Sequence, residues 1–443
     1  MLFKGSRDLI PLYALYALLF AEHGLNTAQI SSLLALWSIT AFVLEVPSGA
    51  WADTVSRRGL LILSGVLVLG AFTLWTVAPS YPGFAIGFVL WGVSSALESG
   101  TFEALIYDDL VARGESGVYP RIMGYARAAA EGAVVVAILA ATPLYALGGY
   151  ALVGWSSVAI AASHVLVAVS LPSAPKAASV DDLDDDAADT VATRVGVAAP
   201  GVVAAVPGHP VVPVDGRAAA RAGGSRGVLT RYLTMLRTGV GEAIRVRRVR
   251  NGVLLGALLF GITAYDEYFA LLAQSAGAPT VVVPLLVGLT VAGSLTGSLL
   301  AGRTARLSAR TIALAVGVGG MLFIGGSLVS GLATDRPDAV YLLTGIGFTA
   351  IGIGYGVVLN AEVVAESRLQ DAIEGPARAT VTSVSGLLSE VVSLVIFGFV
   401  ALATIRLSMA TTLALLGLVM LAIAALTPAW LPRANVRAVA EQR

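Results

Sequence analysis

The sequence contains no cysteine, and it has only three histidines in 443 residues. Without cysteine, disulfide frameworks, zinc ribbons, iron–sulfur clusters and thiol catalysis are excluded. The histidines, His23, His164 and His209, are far apart, and none belongs to an HExxH pattern. We therefore predict that the protein holds no metal and no cofactor.

Charge is also scarce, because only 13% of the residues are charged while 57% are hydrophobic. The mean hydropathy is +0.84. A soluble domain normally carries roughly 25% charged residues. The 28 basic and 28 acidic residues cancel, so no net charge indicates a nucleic-acid partner. No P-loop is present, so the chain has no ATPase motif of its own. A soluble enzyme or nucleic-acid binder is therefore excluded.

Long apolar runs recur along the whole chain. A membrane core about 30 Å thick takes about 20 helical residues to cross, and the alternating polarity of barrel strands is missing. We predict an all-α membrane protein with twelve transmembrane helices in two pseudo-symmetric six-helix bundles. The predicted spans 1 to 12 cover 8–24, 27–50, 59–78, 83–107, 121–142, 148–171, 251–274, 280–302, 309–332, 339–362, 378–402 and 407–430.

The basic residues indicate the orientation. With both termini in the cytoplasm, Arg336 and Arg406 are the only basic residues on the outer side, which follows the positive-inside rule. The only lysines are Lys4 and Lys176, and Ala, Val, Gly and Arg are abundant. This composition is typical of a GC-rich bacterial genome, so we predict a multi-pass protein of the bacterial inner membrane.

Four regions are predicted along the chain. Residues 1–171 form the N-terminal bundle, and residues 249–443 form the C-terminal bundle with a short cytoplasmic tail. Residues 172–227 have no aromatic residue and include an acidic run at 181–186, so we expect a disordered cytoplasmic linker. Residues 228–248 combine leucines at helical spacing with arginines, which predicts an amphipathic helix at the membrane interface.

The two halves resemble each other in sequence. Gly49, Asp53, Arg57 and Arg58 follow span 2, and a similar spacing of Gly302, Arg306 and Arg310 follows span 8. Span 1 carries Tyr13 and Tyr16, while span 7 carries Tyr265 and Tyr268. A duplication of six spans is typical of secondary transporters. For the second copy of the motif, coincidence among arginine-rich loops is an equal alternative.

The spacing Gly49-x-x-x-Asp53-x-x-x-Arg57-Arg58 resembles the signature loop of the major facilitator superfamily. The preceding Glu45-Val46-Pro47-Ser48 is similar to the lead-in of its drug-efflux-like branch. The resemblance implies that Asp53, Arg57 and Arg58 form a latch for one conformation of the two halves. It also implies that spans 1, 4, 7 and 10 line a central cavity.

The residues of this loop also have a physical interpretation of their own. Gly49 is expected to let span 2 approach a neighbouring helix closely. Arg57 and Arg58 are expected to bind lipid headgroups or acidic partners such as Asp108 or Asp109. The alternative is that the two arginines act only as determinants of topology.

Ionisable residues inside the spans are the first group of candidate functional residues, because such groups are costly in lipid. Glu98 and Glu131 are both predicted to lie roughly 15 Å deep and close together. Arg127 can pair with Glu131 at the i, i+4 spacing. One acid would then lack a basic partner and could carry a proton. A purely structural ion pair between helices is the alternative.

Span 7 supplies a second group of candidates. Asp266 and Glu267 lie between two tyrosines, and successive helical residues point about 100° apart. We therefore expect only one of these acids to face the centre of the cavity. The family resemblance places aromatic residues on the cavity-lining spans, and packing without ligand contact is the alternative for about half of them. These aromatic residues are Tyr13, Tyr16, Tyr265, Tyr268 and Tyr355.

Together these features predict a transporter and not an enzyme. The expected function is secondary active transport of a small molecule by alternating access, with proton-coupled export of an amphipathic compound as the preferred version. Uptake or facilitated exchange of a small metabolite is the main alternative, and an intramembrane enzyme or a receptor is a less favoured class. The expected partners are the substrate, protons and the lipid bilayer, and the protein is expected to be a monomer.

Overall fold

The computed structural model describes residues 1–173, 246–373 and 378–433. Within these ranges the chain is helical and no strand occurs. The predicted all-α fold is therefore confirmed. The predicted linker and interfacial helix fall almost entirely on residues 174–245, which lie outside the described residues, as does the tail after residue 433.

The N-terminal half of the described chain, residues 1–173, contains the first six predicted spans. Span 1 begins earlier than predicted, with the helix Leu2–Asp8. It is then interrupted, because Pro11 lacks an amide hydrogen and disfavours helix at the residue before it. Span 4 breaks before Gly100, whose φ is +69°. The helices are Leu2–Asp8, Tyr16–Glu22, Thr27–Thr54, Arg57–Val77, Tyr81–Glu98, Thr101–Ala112 and Tyr119–Val169, with a 3-10 turn at Pro11–Ala14.

Predicted spans 5 and 6 are both contained in the helix Tyr119–Val169. The predicted loop at 143–147 is helical, and the break lies instead at Gly148 and Gly149. Gly149 has φ +56° and ψ −155°, a conformation that is essentially restricted to glycine. The predicted boundary between spans 5 and 6 was therefore wrong by a few residues. Pro143 lies inside the helix and does not end it.

The C-terminal half, residues 246–373 and 378–433, contains predicted spans 7 to 12. Span 7 is interrupted in its middle by the 3-10 segment Thr263–Tyr268, much as span 1 is interrupted at Pro11–Ala14. This shared interruption agrees with the duplication seen in the sequence. The helices are Arg247–Ile262, Phe269–Ser275, Val283–Thr304, Ala309–Gly331, Val340–Ala372, Arg378–Ala403 and Met409–Trp430.

Nine helices within the described residues are long and apolar enough to cross a membrane. One of them includes both span 5 and span 6, while spans 1 and 4 are built from shorter pieces. The prediction of twelve spans is compatible with this arrangement. The outer surface carries leucines such as Leu147 and Leu299, each 81% exposed, as expected where lipid is the solvent.

Within the described residues, the two halves meet through several pairs of helices. Span 2 packs along span 11, and the long helix of spans 5 and 6 packs along span 8. The interrupted spans 1 and 7 contact each other through Tyr16–Glu22 and Phe269–Ser275. The junction of the halves therefore surrounds the two segments that are not regular α-helix.

Candidate functional site

A cavity with two lobes lies at the junction of the halves. The first lobe has a volume of about 360 Å³ and is lined by Arg7, Asp8, Tyr13, Tyr16, Trp37, Trp91, Ser95 and Glu267. The second has about 310 Å³, and its lining includes Tyr13, Glu131, Ile138, Asp266, Glu267, Thr290, Ser294 and Tyr355. Tyr13 and Glu267 line both lobes, so the lobes adjoin at these two side chains.

The interrupted backbone of spans 1 and 7 positions these residues. Tyr13 belongs to the 3-10 turn that Pro11 begins, and Tyr16 starts the following helix. Asp266 and Glu267 lie within the 3-10 segment Thr263–Tyr268. A 3-10 stretch inside a helix often marks a hinge. The 3-10 segments Pro11–Ala14 and Thr263–Tyr268 therefore both place polar groups in the cavity, at the middle of spans 1 and 7.

Asp266 and Glu267 both line the second lobe, and the side chain of each accepts a hydrogen bond from a tyrosine hydroxyl. Tyr355 donates a hydrogen bond to Asp266 with an O–O distance of 2.7 Å, and the hydroxyl of Tyr16 donates to Glu267. Neither acid forms an ion pair there. The expectation that only one of them faces the cavity was wrong, because Asp266 lines the second lobe and Glu267 lines both lobes.

Aromatic rings form one wall of the first lobe. Tyr13 stacks on Trp91 with ring centroids 5.3 Å apart and an interplanar angle of 8°, and Trp37 lies 5.5 Å from Trp91. The buried indole nitrogen of Trp37 and the buried Nη1 of Arg7 have no hydrogen-bond acceptor in the described structure. This lobe therefore combines flat apolar faces with unused hydrogen-bond donors.

Within the described part of the chain, three side-chain hydrogen bonds from spans 1 and 2 join the two halves. Tyr16 donates to Glu267, Ser31 and Tyr268 share a bond of 2.7 Å, and Ser38 donates to Glu390. The residues from the N-terminal half lie on spans 1 and 2, and their partners lie on spans 7 and 11. One of these three links therefore involves a cavity acid directly.

Tyr265 and Tyr268 are placed differently from the other predicted tyrosines, and neither lines the two lobes. Tyr265 is fully buried and packs on Phe323 with centroids 4.5 Å apart, while Tyr268 bonds to Ser31. For these two residues the structure favours the packing alternative. Tyr13, Tyr16 and Tyr355 are at the cavity.

Glu98 differs most from its sequence-based expectation, because it has two basic partners. Lys4 Nζ lies 2.9 Å from one carboxylate oxygen, and Arg7 Nε lies 2.7 Å from the other. Lys4 also lies 3.4 Å from Glu103. Nearby, Ser6 and His164 share a hydrogen bond of 2.9 Å. Glu98 is therefore not the acid without a basic partner that the sequence indicated.

Glu131 lies apart from this cluster, in the lining of the second lobe. Arg127 Nε is 3.4 Å from its carboxylate, at the predicted i, i+4 spacing. The side chain of Arg127 is 78% exposed, so this pair is at the edge of the cavity. The structure brings Glu131 to Asp266 and Glu267, and it does not give Glu98 and Glu131 a common partner.

The signature residues lie at the junction of spans 2 and 3. Gly49 and Asp53 belong to the helix Thr27–Thr54, and the side chain of Asp53 is outside the described residues. Arg57 forms an ion pair with Asp108, and Arg58 donates to the carbonyl oxygen of Val169. A Cβ at Gly49 would meet nothing within 4 Å in the described structure. The predicted close helix approach at Gly49 was therefore wrong.

The described residues contain no group of three or more histidine, aspartate or glutamate side chains arranged to hold a metal ion. The cavity lining offers carboxylates, hydroxyls, aromatic rings and one arginine. These groups can bind a polar molecule and exchange protons.

The family model of the Major Facilitator Superfamily matches residues 8–395. The chain belongs to the major facilitator superfamily. A search of curated protein sequences found no significant match. This member is similar in fold to the crystal structure of a point mutant of the nucleoside transporter NupG, with a TM-score of 0.65 and 11% identity over 97% of this chain and 96% of that chain.

Two further solved structures are similar in fold to this member of the major facilitator superfamily. The crystal structure of NupG itself gives a TM-score of 0.63 with 13% identity over 97% of this chain and 95% of the other. The D-xylose-proton symporter gives 0.61 with 14% identity over 98% and 96%. At these identities the comparison shows the fold. Together with the family match, it supports a membrane transporter and not an enzyme.

Proposed function

We propose that this protein is a proton-coupled transporter of a small polar molecule with a flat ring. The observation that carries the proposal is the acid pair Asp266 and Glu267, which lines a cavity at the junction of the halves. Both acids accept hydrogen bonds from tyrosine hydroxyls, and neither forms an ion pair in the described part of the chain. Ionisable groups at such positions are typical of proton relays in transporters.

Coupling follows from the closeness of the two acids. Two adjacent carboxylates in a low-dielectric cavity cannot both ionise cheaply, so the pair holds one proton and titrates as a unit. Protonation of Glu267 would remove the charge that strengthens its hydrogen bond from Tyr16. Because this bond joins the two halves, the protonation state of the pair would bias the equilibrium between conformations.

The first lobe favours a flat, polar substrate. Tyr13, Trp37 and Trp91 provide aromatic faces, while Arg7, Asp8 and Ser95 are polar residues of the same lining. A nucleoside presents a flat base and ribose hydroxyls, while a sugar presents an apolar C–H face and hydroxyls. Two of the proteins with a similar fold are a nucleoside transporter and a D-xylose-proton symporter, and their substrates belong to this class. The similarity to these proteins is one of fold.

Export is the second candidate, and the lead-in Glu45-Val46-Pro47-Ser48 supports it through its resemblance to drug-efflux-like members. In that case the aromatic wall would bind the apolar part of an amphipathic compound. Facilitated exchange without protons is the third possibility. All three share the alternating movement of two halves.

The remaining expectations belong to the same proposal. The basic residues favour cytoplasmic termini, with residues 1–171 and 249–443 as the two bundles and 172–227 as the linker between them. Arg57, its partner Asp108 and Asp53 would form the latch on the cytoplasmic side. A monomer in the bacterial inner membrane is sufficient for this mechanism.

Transport into proteoliposomes tests the proposal. The purified chain would be reconstituted and supplied with a panel of labelled nucleosides, pentoses and amphipathic cations under an imposed pH gradient. We expect accumulation of one ring-bearing polar compound in the direction of proton flow. Accumulation against proton flow would support export by antiport. Equilibration that ignores the pH gradient would overturn proton coupling.

A further inference from the structure

A deep basic pocket lies at the end of the C-terminal half where span 7 begins and span 12 ends. Its volume is about 760 Å³, more than twice that of either lobe of the central cavity. Residues from the start of span 7, the connection between spans 8 and 9, span 10 and the end of span 12 line it. Six of them are arginines, namely Arg247, Arg248, Arg306, Arg310, Arg368 and Arg433.

Within the described residues, the positive charge of this basic pocket has no acidic side chain beside it in the lining. No aspartate or glutamate is among its lining residues. None of the six arginines forms an ion pair within the described part of the chain, where the ion pairs belong to other residues. Topology requires arginines on this side of the membrane, but it does not require them to converge on one concavity.

Arg368 forms the buried floor of the basic pocket, with 5% of its surface exposed. Its guanidinium donates to the carbonyl oxygens of Ala305 at 2.8 Å and Leu307 at 2.6 Å. It also donates to the carbonyl of Pro432 at 3.4 Å, while its buried Nε has no described partner. A buried cation without a counter-charge is costly, so a bound anion would stabilise this arrangement.

The helix Ala309–Gly331 begins at the basic pocket. Ser308 caps its first turn, and Ser308, Ala309 and Arg310 all line the cavity. The positive end of the helix dipole therefore adds to the arginine charges, and Arg310 itself is unfavourable in the first turn of a helix. Both effects favour a negatively charged group in the pocket.

Apart from Asn251 and Ser308, the remaining lining is apolar, as expected at a membrane boundary. It includes Trp430, Leu431 and Pro432 at the end of the last helix, and Leu307 between spans 8 and 9. Tryptophan is enriched where the headgroups meet the hydrocarbon. Basic pockets between transmembrane helices on the cytoplasmic side are suited to the headgroups of anionic lipids.

We infer that this basic pocket binds a phosphate-bearing anion, with the headgroup of an anionic phospholipid as the source that its apolar rim favours. The inference does not depend on the proposed transport function, because none of the lining residues belongs to the central cavity. It assigns the C-terminal half a lipid site that holds the ends of spans 7, 9, 10 and 12 together.

Lipid titration of the full-length protein tests this inference. The protein in a neutral detergent would be titrated with dioleoylphosphatidylglycerol, with dioleoylphosphatidylcholine and with inorganic phosphate, and bound species would be counted by native mass spectrometry. The test variant is Arg306→Gln with Arg310→Gln. The control is Arg250→Gln with Arg303→Gln, which removes the same charge from neighbouring exposed positions that do not line the pocket.

We expect the first phosphatidylglycerol to bind the test variant about thirtyfold more weakly than the unchanged protein, at about 1 kcal/mol for each arginine. The control should bind it unchanged. Competition by inorganic phosphate alone, without preference for the lipid, would support the phosphate chemistry and identify a soluble source. Equal loss in both variants, or no preference for phosphatidylglycerol or phosphate over phosphatidylcholine, would overturn the site. Melting temperatures in phosphatidylcholine nanodiscs would show that each variant is folded.

Discussion

At the scale of single residues, the buried cluster around Glu98 indicates that this acid has a structural role, in contrast to the acids of the cavity. The side chains of Glu98 and Arg7 are 9% and 8% exposed, and both carboxylate oxygens of Glu98 accept hydrogen bonds from basic groups. A carboxylate held in this way pairs with two cations at once. We therefore assign Glu98 to the stability of spans 1 and 4, and we assign coupling to the acids of span 7.

Glu98→Gln should destabilise the folded protein strongly. The substitution leaves buried Arg7 without its counter-charge, and breaking a buried ion pair from one side costs about 3–5 kcal/mol. The midpoint of unfolding in sodium dodecyl sulfate measures this loss. Glu103→Gln is the matched control, because Glu103 is 36% exposed and pairs only with Lys4 at 3.4 Å. Its cost should stay below about 1 kcal/mol, and an equal shift in both variants would disprove the assignment.

Asp53→Asn tests the latch that the signature motif implies. We expect near-normal expression and a strong loss of transport, since topology alone does not require an acid at this position. Arg57→Gln should have a similar effect, because it removes the ion pair with Asp108. The measurement is substrate uptake by proteoliposomes with equal amounts of folded protein. Normal uptake by folded Asp53→Asn protein would eliminate the latch.

At the scale of helices, glycine pairs allow spans 8 and 10 to pack backbone against backbone. A Cβ on Gly293 would overlap the carbonyl oxygen of Gly352, and a Cβ on Gly297 would overlap that of Gly356. Asn360 strengthens the same contact by donating to the carbonyl of Gly297 at 2.8 Å. In lipid, such close approach replaces the hydrophobic driving force between helices.

Gly297→Ala should therefore force the two helices apart. Overpacking of this kind costs about 1–3 kcal/mol, which thermal unfolding in detergent would detect. Gly345→Ala on span 10 is the control, since a Cβ there meets nothing within 4 Å in the described structure. Alanine at that position should leave stability unchanged or raise it slightly. Equal melting temperatures for the two variants would contradict the packing account.

The sequence was sufficient to predict the helices, because the lengths of apolar runs are set by the thickness of the membrane. It also indicated Asp266 and Glu267, because acids stand out within apolar runs. It could not predict that Arg7 pairs with Glu98, since the two residues are 91 positions apart. Arg7 also lies just before the predicted start of span 1 at residue 8. The sequence did not identify Trp37 and Trp91 as residues of the cavity lining. An aromatic residue in an apolar helix looks the same in sequence whether it packs against other helices or faces a ligand. Pro11 was the one available signal for the interruption of span 1.

At the scale of the whole molecule, the region between the halves is predicted to act only as a tether. Deletion of residues 180–222 leaves 174–179 and 223–245, which reach roughly 65 Å when 228–245 form the predicted helix and the rest is extended. That reach exceeds the full bilayer thickness of about 40–45 Å. We therefore expect normal folding and transport from the shortened chain, measured by gel filtration and proteoliposome uptake. Loss of folding would show that the deleted region contains a required element.

The central claim is that Asp266 and Glu267 couple proton movement to the exchange of two conformations. Uphill accumulation under a pH gradient and counterflow without a gradient should be compared for Asp266→Asn, Glu267→Gln and Glu131→Gln. Glu131 is the control because it lines the same lobe but pairs with Arg127. The account predicts that at least one substitution in the pair abolishes accumulation and leaves counterflow intact, while Glu131→Gln retains both. Full accumulation by both Asp266→Asn and Glu267→Gln would contradict it.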